Sequence, residues 1–392
     1  MYYLNDLGLV CNLGPGKDPV CTALLADQPA PAPADLFQAR DGYMVGAVNA
    51  QLPDLPGSLQ HFACRNNRLA LAALTQIQAL VESARSRYGA GRIGVVMATS
   101  TSGIDATESA VAAQLAGHSL PPFYHPLRGS FGGLGEFVAA YLECDGPVYT
   151  LSTACSSSGN ALLSARRLLA MNLCDAVIVG GVDSLCELTL QGFGALEAQS
   201  EQYNRPFSAD RDGINIGEAA AVFLLSREPS RVQFLGGAAS SDAHHISAPH
   251  PEGEGAFRAM QGALRDAALE TADVDYLNLH GTGTPQNDAM ESKAVHRLFG
   301  SGLECSSTKA FTGHCLGAAA ALEAGICWLL LGDPGAKRLP PSAYSDQRDD
   351  TLAPITLTGH NERPHTSPRI CMSNSFAFGG SNVSLLLGRA DV

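Results

Sequence analysis

A cysteine in the segment Leu151–Gly159, LSTACSSSG, occupies a position from which a nucleophile could act. We predict a strand over Val148–Ser152 and a helix over Ser156–Leu173, so that Cys155 lies in the turn between them, as in a nucleophile elbow. Because a helix N-terminus favours negative charge, we expect a thiolate at Cys155 that needs no adjacent base. The alternative is that Cys155 is one more small buried residue among 11 cysteines.

Two histidines lie in glycine-rich turns next to predicted strands or helices. His280 lies in NLHGTGTPQND and His314 in SSTKAFTGHCLG, where Lys309 precedes it. Side chains at the carboxyl ends of strands point into a cleft, whereas most other histidines of the chain are interpreted as structural or surface groups. The hydroxyls of Thr282 and Thr284 could bind a ligand that carries amides, or could simply cap the turn.

A fourth segment, NSFAFGGSN at 374–382, contains a glycine pair. Gly379–Gly380 predicts a mobile turn that can bring backbone N–H groups close to a ligand. Phe378 beside it could cover an apolar cavity. Glycine pairs are common in turns, so this segment alone does not indicate a site.

The elements that must position these residues alternate between strand and helix, which indicates an α/β fold with strands covered on both faces. The pattern breaks at Ser226–Ser230 and a second, similar series begins, which predicts a structural duplication into units 1–230 and 231–392. In each series a helix of small residues follows a polar turn. Segment 333–368 is rich in Pro, Asp, Arg and Thr, and we predict a surface loop there.

Specific strands and helices follow from hydrophobic patterning. Beyond the elbow, the predicted strands are Tyr2–Val10, Arg92–Ala98, Ala176–Gly180, Ala219–Leu225, Val232–Gly236, Tyr276–His280 and Asn382–Leu387. The predicted helices are Leu69–Arg87, Gly255–Leu269, Asp288–Phe299 and Gly317–Leu331.

Composition excludes several classes of protein. The 392 residues include 45% hydrophobic and 16% charged residues, which excludes disorder, and the net charge of −13 argues against a nucleic-acid binder. The apolar stretch from Leu316 to Leu331 contains Glu323 and favours a buried helix over a membrane span. No cation precedes Lys17, so we expect no secretory signal. No two cysteines are spaced C-x-x-C, which argues against zinc-ribbon and thioredoxin-like sites. Cysteines scattered through apolar segments favour a reducing compartment, and we predict a cytoplasmic protein.

Taken together, the motifs resemble the β-ketoacyl-acyl-carrier-protein synthase family of the thiolase superfamily. The resemblance runs in order through GLVCNLG near the N-terminus, TACSSS at 153–158, RPFSADRDGINIGEAAAV at 205–222, HGTGTP at 280–285, KAFTGHCLGAAAALE at 309–323 and NSFAFGGSN at 374–382. It implies a five-layer αβαβα sandwich built from two duplicated halves, and usually a dimer.

The resemblance also implies an activity. Cys155, His280 and His314 match the Cys-His-His set of elongating synthases, whereas chain-initiating synthases use Cys-His-Asn and thiolases use a second cysteine. We therefore expect decarboxylative condensation of a malonyl group with a Cys-bound acyl chain, without a metal or redox cofactor. ACSSS is closer to polyketide-type ketosynthases, and PQND departs from the commoner ending, so the pathway stays open between fatty-acid, polyene and polyketide synthesis.

Further roles come from the resemblance alone. Backbone N–H groups of Cys155 and Phe378 would form the oxyanion hole, and Phe378 would gate the acyl pocket. Lys309 would support the histidine site and Glu323 would be its buried carboxylate. Thr282 and Thr284 would bind the phosphopantetheine amides.

The implied partners are acyl-ACP and malonyl-ACP, which Arg65, Arg68 and Arg205 would contact. The chain would form a homodimer, or a heterodimer with a paralogue like a chain-length factor. Two other functions remain open. One is a thiolase-like acyltransferase that uses coenzyme A, for which Cys315 lies next to His314. The other is a non-enzymatic interaction subunit, against which the intact Cys-His-His set argues.

Overall fold

The computed structural model describes residues 1–25, 30–120, 124–333, 338–359 and 367–390. The strands are β1 (Tyr3–Cys11), β2 (Gln38–Arg40), β3 (Tyr43–Val45), β4 (Ile93–Ala98), β5 (Val148–Leu151), β6 (Ala176–Asp183), β7 (Ala219–Ser226), β8 (Val232–Ser241), β9 (Tyr276–Asn278), β10 (Glu304–Ser306), β11 (Thr356–Leu357), β12 (Ile370–Phe376) and β13 (Ser381–Arg389). The α-helices are α1 (Lys17–Leu24), α2 (Pro33–Leu36), α3 (Arg65–Tyr88), α4 (Ile104–Leu115), α5 (Phe131–Leu142), α6 (Ser157–Ala170), α7 (Glu187–Ala195), α8 (Glu254–Ala267), α9 (Pro285–Phe299), α10 (Lys309–Thr312) and α11 (Ala319–Gly332).

Short 3₁₀ turns connect several of these elements. They cover Gly57–Phe62, Ala90–Arg92, Pro126–Arg128, Thr271–Asp273, Leu316–Ala318, Ser345–Gln347 and Phe378–Gly380. None of the helices in the described ranges combines the length and the apolar composition that crossing a membrane requires.

The duplication is visible in the order of the strands. The main sheet runs β11-β10-β9-β12-β13-β8-β1-β7-β6-β4-β5, and its two halves meet where Tyr3 of β1 pairs with Gln233 of β8. From the outside inwards, β5-β4-β6-β7-β1 and β10-β9-β12-β13-β8 repeat one topology. In each half the first three strands are parallel and the next two pairings are antiparallel. The two halves share one core. The predicted division into units 1–230 and 231–392 stays a prediction.

Three hydrophobic clusters fill the spaces between five layers of helices and strands. One lies between α3, α5 and the first half of the sheet, and another lies between the second half of the sheet and α8, α9. The third surrounds α6 and α11, which lie between the two halves of the sheet. α11 is almost entirely buried because, apart from Glu323, its sequence is apolar on every side. This is the αβαβα sandwich that the family resemblance implied.

Most predicted elements are present with shifted ends, but the expectation for segment 333–368 is wrong in part. Leu339, Leu352, Ile355 and Leu357 are buried there, and β11 pairs in parallel with β10. The subsegments 334–337 and 360–366 lie outside the described residues. Strand β12 was not predicted; its last three residues fall in the segment 374–382, for which the sequence indicates a turn.

The central layer packs closely against the sheet at Gly181 of β6. A Cβ added there would lie 2.7 Å from Cβ of Ser158 on α6, 2.9 Å from Cα of Ala318 and 3.1 Å from the carbonyl oxygen of Gly317. Two of these three atoms belong to the backbone, so the side chains cannot simply rotate away. Glycine at this position therefore sets the distance between the sheet and the turn that follows His314.

We predict that Gly181→Ala lowers the free energy of unfolding by about 1–3 kcal/mol, as overpacking of a core does. Urea unfolding followed by circular dichroism measures this change. Gly192→Ala is the matched control, because a Cβ at Gly192 in α7 meets no atom within 4 Å. Equal unfolding free energies for the two variants would show that the central layer absorbs a methyl group.

Candidate active site

Cys155 lies in a sharp turn between β5 and α6, as predicted. Ala154 before it has φ 51°, a left-handed conformation that costs a residue with a Cβ roughly 1–2 kcal/mol. Hydrogen bonds hold the turn: the Thr153 N–H donates to Ser157 Oγ at 2.8 Å, and Ser156 Oγ donates to the Thr153 carbonyl at 2.8 Å. The turn thus places the sulfur at the carboxyl end of the strand, at the bottom of a cavity.

The two histidines lie next to this sulfur. Nε2 of His314 is 3.0 Å from Sγ of Cys155, and the ring centroids of His280 and His314 are 5.4 Å apart at 82°. All three side chains are buried and line a cavity of about 420 Å³. Residues separated by 125 and 34 positions in the sequence therefore converge on one point.

His314 is held through its backbone. Its N–H donates to the Asn215 carbonyl at 2.7 Å, and its carbonyl accepts from the Gly217 N–H at 3.0 Å. Gly313 has φ 69°, a conformation that glycine adopts without strain. The segment 214–217 of the GINIG motif thus acts as a strand-like support for the histidine.

His280 is held by Glu291 of α9. The backbone N–H groups of His280 and Gly281 donate to the two carboxylate oxygens of Glu291 at 2.8 and 2.7 Å. Asn374 of β12 donates to the same carboxylate at 3.3 Å. Burial raises the pKa of Glu291 to about 7, and the N–H donors of Gly281 and His280 oppose the rise. Sequence patterning gave no signal for Glu291, because a glutamate within a helix is ordinary.

Lys309 lies inside the protein beneath the histidines. Its ammonium donates to the His280 carbonyl at 2.6 Å and forms an ion pair with Glu323 of α11. Both side chains are buried. Burial raises the pKa of Glu323 to about 7, and Lys309 opposes the rise. The pair fixes one positive charge close to all the reactive groups.

Burial sets the protonation of the site. It lowers the pKa of His280 and of His314 well below 6.5, and Lys309 adds to both shifts. It raises the pKa of the Cys155 thiol to about 12, although Lys309 and the backbone N–H groups of Phe378 and Cys155 oppose the rise. The expectation of a thiolate without an adjacent base is therefore wrong. The resting site holds a thiol and neutral imidazoles, and His314 is an adjacent base.

Phe378 packs against α7 and lines the cavity. Its ring is 5.6 Å from that of Phe193, and its backbone N–H faces the sulfur of Cys155. Two backbone N–H groups, those of Phe378 and Cys155, thus interact with the sulfur. Their role as an oxyanion hole stays a prediction, as does the gating role of Phe378.

Thr282 and Thr284 line the upper part of the cavity. Their hydroxyls are 2.9 Å apart, and Asn204 donates to the Thr282 carbonyl. The binding of phosphopantetheine by these threonines is untested and stays a prediction.

The three arginines expected to contact a carrier do not line the cavity. Arg65 forms an ion pair with the buried Glu218, Arg68 donates to the carbonyls of Leu52 and Pro53, and Arg205 pairs with Asp210 at 3.5 Å. A docking role for them stays a prediction, in which each would have to share or leave its present partner.

Sequence reasoning missed two further buried carboxylates. Glu218 also accepts the backbone N–H groups of Val48 and Leu185. Asp183, at the end of β6, accepts from Thr99, Ser100, Thr101 and the backbone N–H of Ala318. Asp183 thus links the loop after β4 to the turn after His314. The sequence signal for Asp183 was its position as an acidic residue at the end of an apolar strand.

The donor atoms of Cys155, His280 and His314 all lie within 4.8 Å of one another, the one group in the described ranges that could hold a metal ion. Sulfur and imidazole donors suit zinc. The expectation of catalysis without a metal stays a prediction.

Comparison with known proteins assigns the family. "Beta-ketoacyl synthase, N-terminal domain" matches residues 32–230, and "Beta-ketoacyl synthase, C-terminal domain" matches residues 233–342. The chain belongs to the β-ketoacyl synthase family. It is thus an acyl-transferring condensing enzyme, and the predicted family and thiolase-like α/β fold are confirmed.

Individual relatives agree with this family assignment. A 3-oxoacyl-[acyl-carrier-protein] synthase 2 of Rhizobium meliloti is 39% identical over 69% of this chain and 67% of its own length. One of Coxiella burnetii is 31% identical over 98% of both chains. The structure of a ketosynthase (ApeO) in complex with its chain length factor (ApeC) from Xenorhabdus doucetiae is 43% identical, covers 99% of this chain and 98% of its own, and superposes with a TM-score of 0.91.

We predict that Glu291→Gln slows malonyl decarboxylation roughly tenfold. The amide NH₂ of the glutamine would face one of the two backbone N–H groups that the carboxylate binds, and His280 would be displaced. An unsatisfied buried N–H costs about 1–3 kcal/mol. Assay at pH 8 keeps the wild-type carboxylate ionised. Acylation of Cys155 should change little.

Ser292→Ala on the same helix turn is the control, since Ser292 Oγ donates to the Ala289 carbonyl and not to the site. Equal losses of decarboxylation and acylation in Glu291→Gln would show a general effect on folding and contradict a positioning role.

Proposed function

We propose that this synthase takes an acyl chain from an acyl carrier protein onto Cys155 and condenses it with malonyl-ACP, with loss of CO₂. The product is a β-ketoacyl-ACP two carbons longer, for fatty-acid, polyene or polyketide synthesis. One observation carries the proposal: Sγ of Cys155 lies 3.0 Å from Nε2 of His314 and within 4.8 Å of a His280 nitrogen, in one cavity.

Acyl transfer begins from the neutral pair. As Sγ of Cys155 attacks the thioester carbonyl, its proton passes to Nε2 of His314, and the tetrahedral oxyanion lies against the N–H groups of Cys155 and Phe378. The carbon–sulfur bond to the carrier then breaks, and the leaving thiolate takes the proton from His314. The result is acyl-Cys155 and a free carrier thiol.

Condensation uses both histidines as donors. Once the sulfur is acylated, Nε2 of His314 has no thiol proton to accept, and its N–H tautomer can donate to the malonyl thioester carbonyl together with His280. Cleavage of the carbon–carboxylate bond releases CO₂ and leaves an enolate, whose charge these donors stabilise. The enolate carbon bonds to the acyl carbon, the bond to Sγ breaks, and the released thiolate takes up a proton from solvent.

Lys309 supports this chemistry without touching substrate. Its hydrogen bond to the His280 carbonyl orients that histidine, and its charge favours neutral imidazoles and the developing negative charge. Glu323 balances the buried ammonium. Thr282 and Thr284 lie along the path that the pantetheine arm would follow, with hydroxyls able to bind its amides.

The thiolase-like alternative is not favoured. Cys315 is fully buried, its sulfur donates to the Thr312 carbonyl, and burial raises its pKa well above the ordinary value. It does not line the cavity, so it cannot serve as the second reactive cysteine. A purely structural role is disfavoured by the assembled site of Cys155, His280 and His314.

A dimer is supported by the outer edge of β5. Within the described sheet β5 is one of the two edge strands, and its residues Val148–Leu151 are half-buried. An exposed edge strand invites pairing with another chain. Because a relative at 43% identity is a ketosynthase in complex with its chain length factor, we propose a heterodimer of that kind, with a homodimer as the alternative. Free cysteines at all 11 positions favour a cytoplasmic location.

We predict that Cys155→Ala abolishes condensation, and that His280→Ala slows malonyl decarboxylation by roughly 100- to 1000-fold while Cys155 is still acylated. His314→Ala should slow both half-reactions, because His314 also takes the thiol proton. Mass spectrometry of carrier-bound products and of acyl-Cys155 measures each step, across a panel of acyl donors.

The matched control is His296→Ala, whose Nδ1 lies 2.9 Å from the carbonyl oxygen of Pro354, away from the cavity. Substantial condensation by Cys155→Ala would remove the nucleophile assignment. Normal decarboxylation by both His280→Ala and His314→Ala would remove the enolate-stabilising role.

A further inference from the structure

Two large apolar side chains are exposed at the mouth of the active-site cavity. Leu196, just after α7, is 56% exposed and lines the cavity, and Ile246, in the loop after β8, is 80% exposed. Both segments contact the loop that carries Phe378: Phe193 packs on the Phe378 ring, and the Ile246 carbonyl accepts the Gly379 N–H at 2.8 Å. The two residues therefore flank the entrance, where burial by a partner would be favourable.

The charges at the same rim are negative. Glu197 and Asp212 line the cavity and are exposed, whereas no lysine or arginine is among the described residues that line it. Glu197 has φ 51°, a left-handed position at the end of α7 where glycine or asparagine is usual. A carboxylate therefore lies at the entrance, at a position where a side chain is unfavourable for the backbone.

A docked carrier has to cover this rim. The acyl thioester must reach Cys155 at the bottom of the cavity, so the protein that bears it must lie over the entrance. A covered apolar side chain at the centre of an interface contributes affinity, and a carboxylate at its edge repels partners of like charge.

We propose that the acyl carrier protein docks by apolar contact with Leu196 and Ile246, and that Glu197 and Asp212 select a carrier whose facing residues are neutral or basic. The proposal rests on the proposed function for the identity of the occupant. It differs from docking through Arg65, Arg68 and Arg205, whose guanidinium groups already bind within this chain.

Salt separates the two modes of docking. Attraction between arginines and an acidic carrier weakens as salt rises, so Kd would increase. Apolar contact does not weaken with screening, and the repulsion from Glu197 and Asp212 is reduced by it. Docking at the rim therefore keeps Kd constant or lowers it as salt rises.

The test measures Kd of fluorescently labelled holo acyl carrier proteins by anisotropy, and KM in condensation. Leu196→Ser and Ile246→Ser should each raise Kd and KM about tenfold, the effect of removing a central interface contact. Met171→Ser is the matched control, because Met171 is 69% exposed at the far end of α6 from Cys155. Acylation of Cys155 by a pantetheine thioester without a carrier should be equal in wild type, Ile246→Ser and Met171→Ser, because neither Ile246 nor Met171 lines the cavity.

A second arm tests the charge. Across holo carriers of different net charge, Glu197→Gln should lower Kd most for the most acidic carrier, and salt should reduce the difference between variant and wild type. Unchanged Kd in both Leu196→Ser and Ile246→Ser would overturn the proposal. So would a wild-type Kd that rises with salt together with a large loss in Arg205→Glu.

These outcomes are independent of the chemistry. Loss of carrier binding in the rim variants supports the proposal even if condensation fails. Failure of Cys155 to accept an acyl group from either donor would instead overturn the proposed function, while the binding measurements would still decide the role of the rim.

Discussion

The buried ion pair between Lys309 and Glu323 is the interaction on which the site depends. Moving an ammonium into the interior costs several kcal/mol unless a partner compensates it. Glu323 provides the partner from α11, and the ammonium also donates to the His280 carbonyl. Burial lowers the pKa of both histidines, and the Lys309 charge adds to that shift and opposes the rise in the pKa of Cys155. One fixed charge therefore acts on all three reactive groups at once.

The duplication explains why the three groups meet. Cys155 precedes α6 after the third strand of the first half, and His314 precedes α11 after the third strand of the second half. Both helices lie in the central layer, so their N-terminal turns face each other between the two halves of the sheet. The thiol and its base thus occupy equivalent places in a repeated topology. Gly181, at the contact between these turns, leaves them room to approach.

Much of this was predictable because it is local in the chain. The turn at Cys155, the glycine-rich turns at His280 and His314, and the two small-residue helices follow from patterns within about 20 residues. The order and spacing of the motifs indicated the family, and the family implied the five-layer sandwich.

What could not be predicted depends on contacts between distant segments. The helix start next to Cys155 is visible in the sequence, but the burial that raises the thiol pKa arises only when the two halves close over the site. The sequence gives no signal that Arg65 binds a buried carboxylate, because its partner Glu218 lies 153 positions away. Pro- and Asp-rich segment 333–368 is polar in composition, yet its leucines complete the core beside β10.

The most direct test of the central claim is the pH dependence of malonyl decarboxylation by the Cys155→Ala variant. Because burial and Lys309 lower the pKa of His280 and His314 well below 6.5, both imidazoles stay neutral as pH falls from 8 to 6.5. The account predicts a rate that does not fall as pH rises from 6.5 to 8: it stays constant or increases as Glu291, whose pKa burial raises to about 7, becomes ionised. A rate that falls as pH rises through 6.5, as a protonated imidazole donor requires, would contradict it.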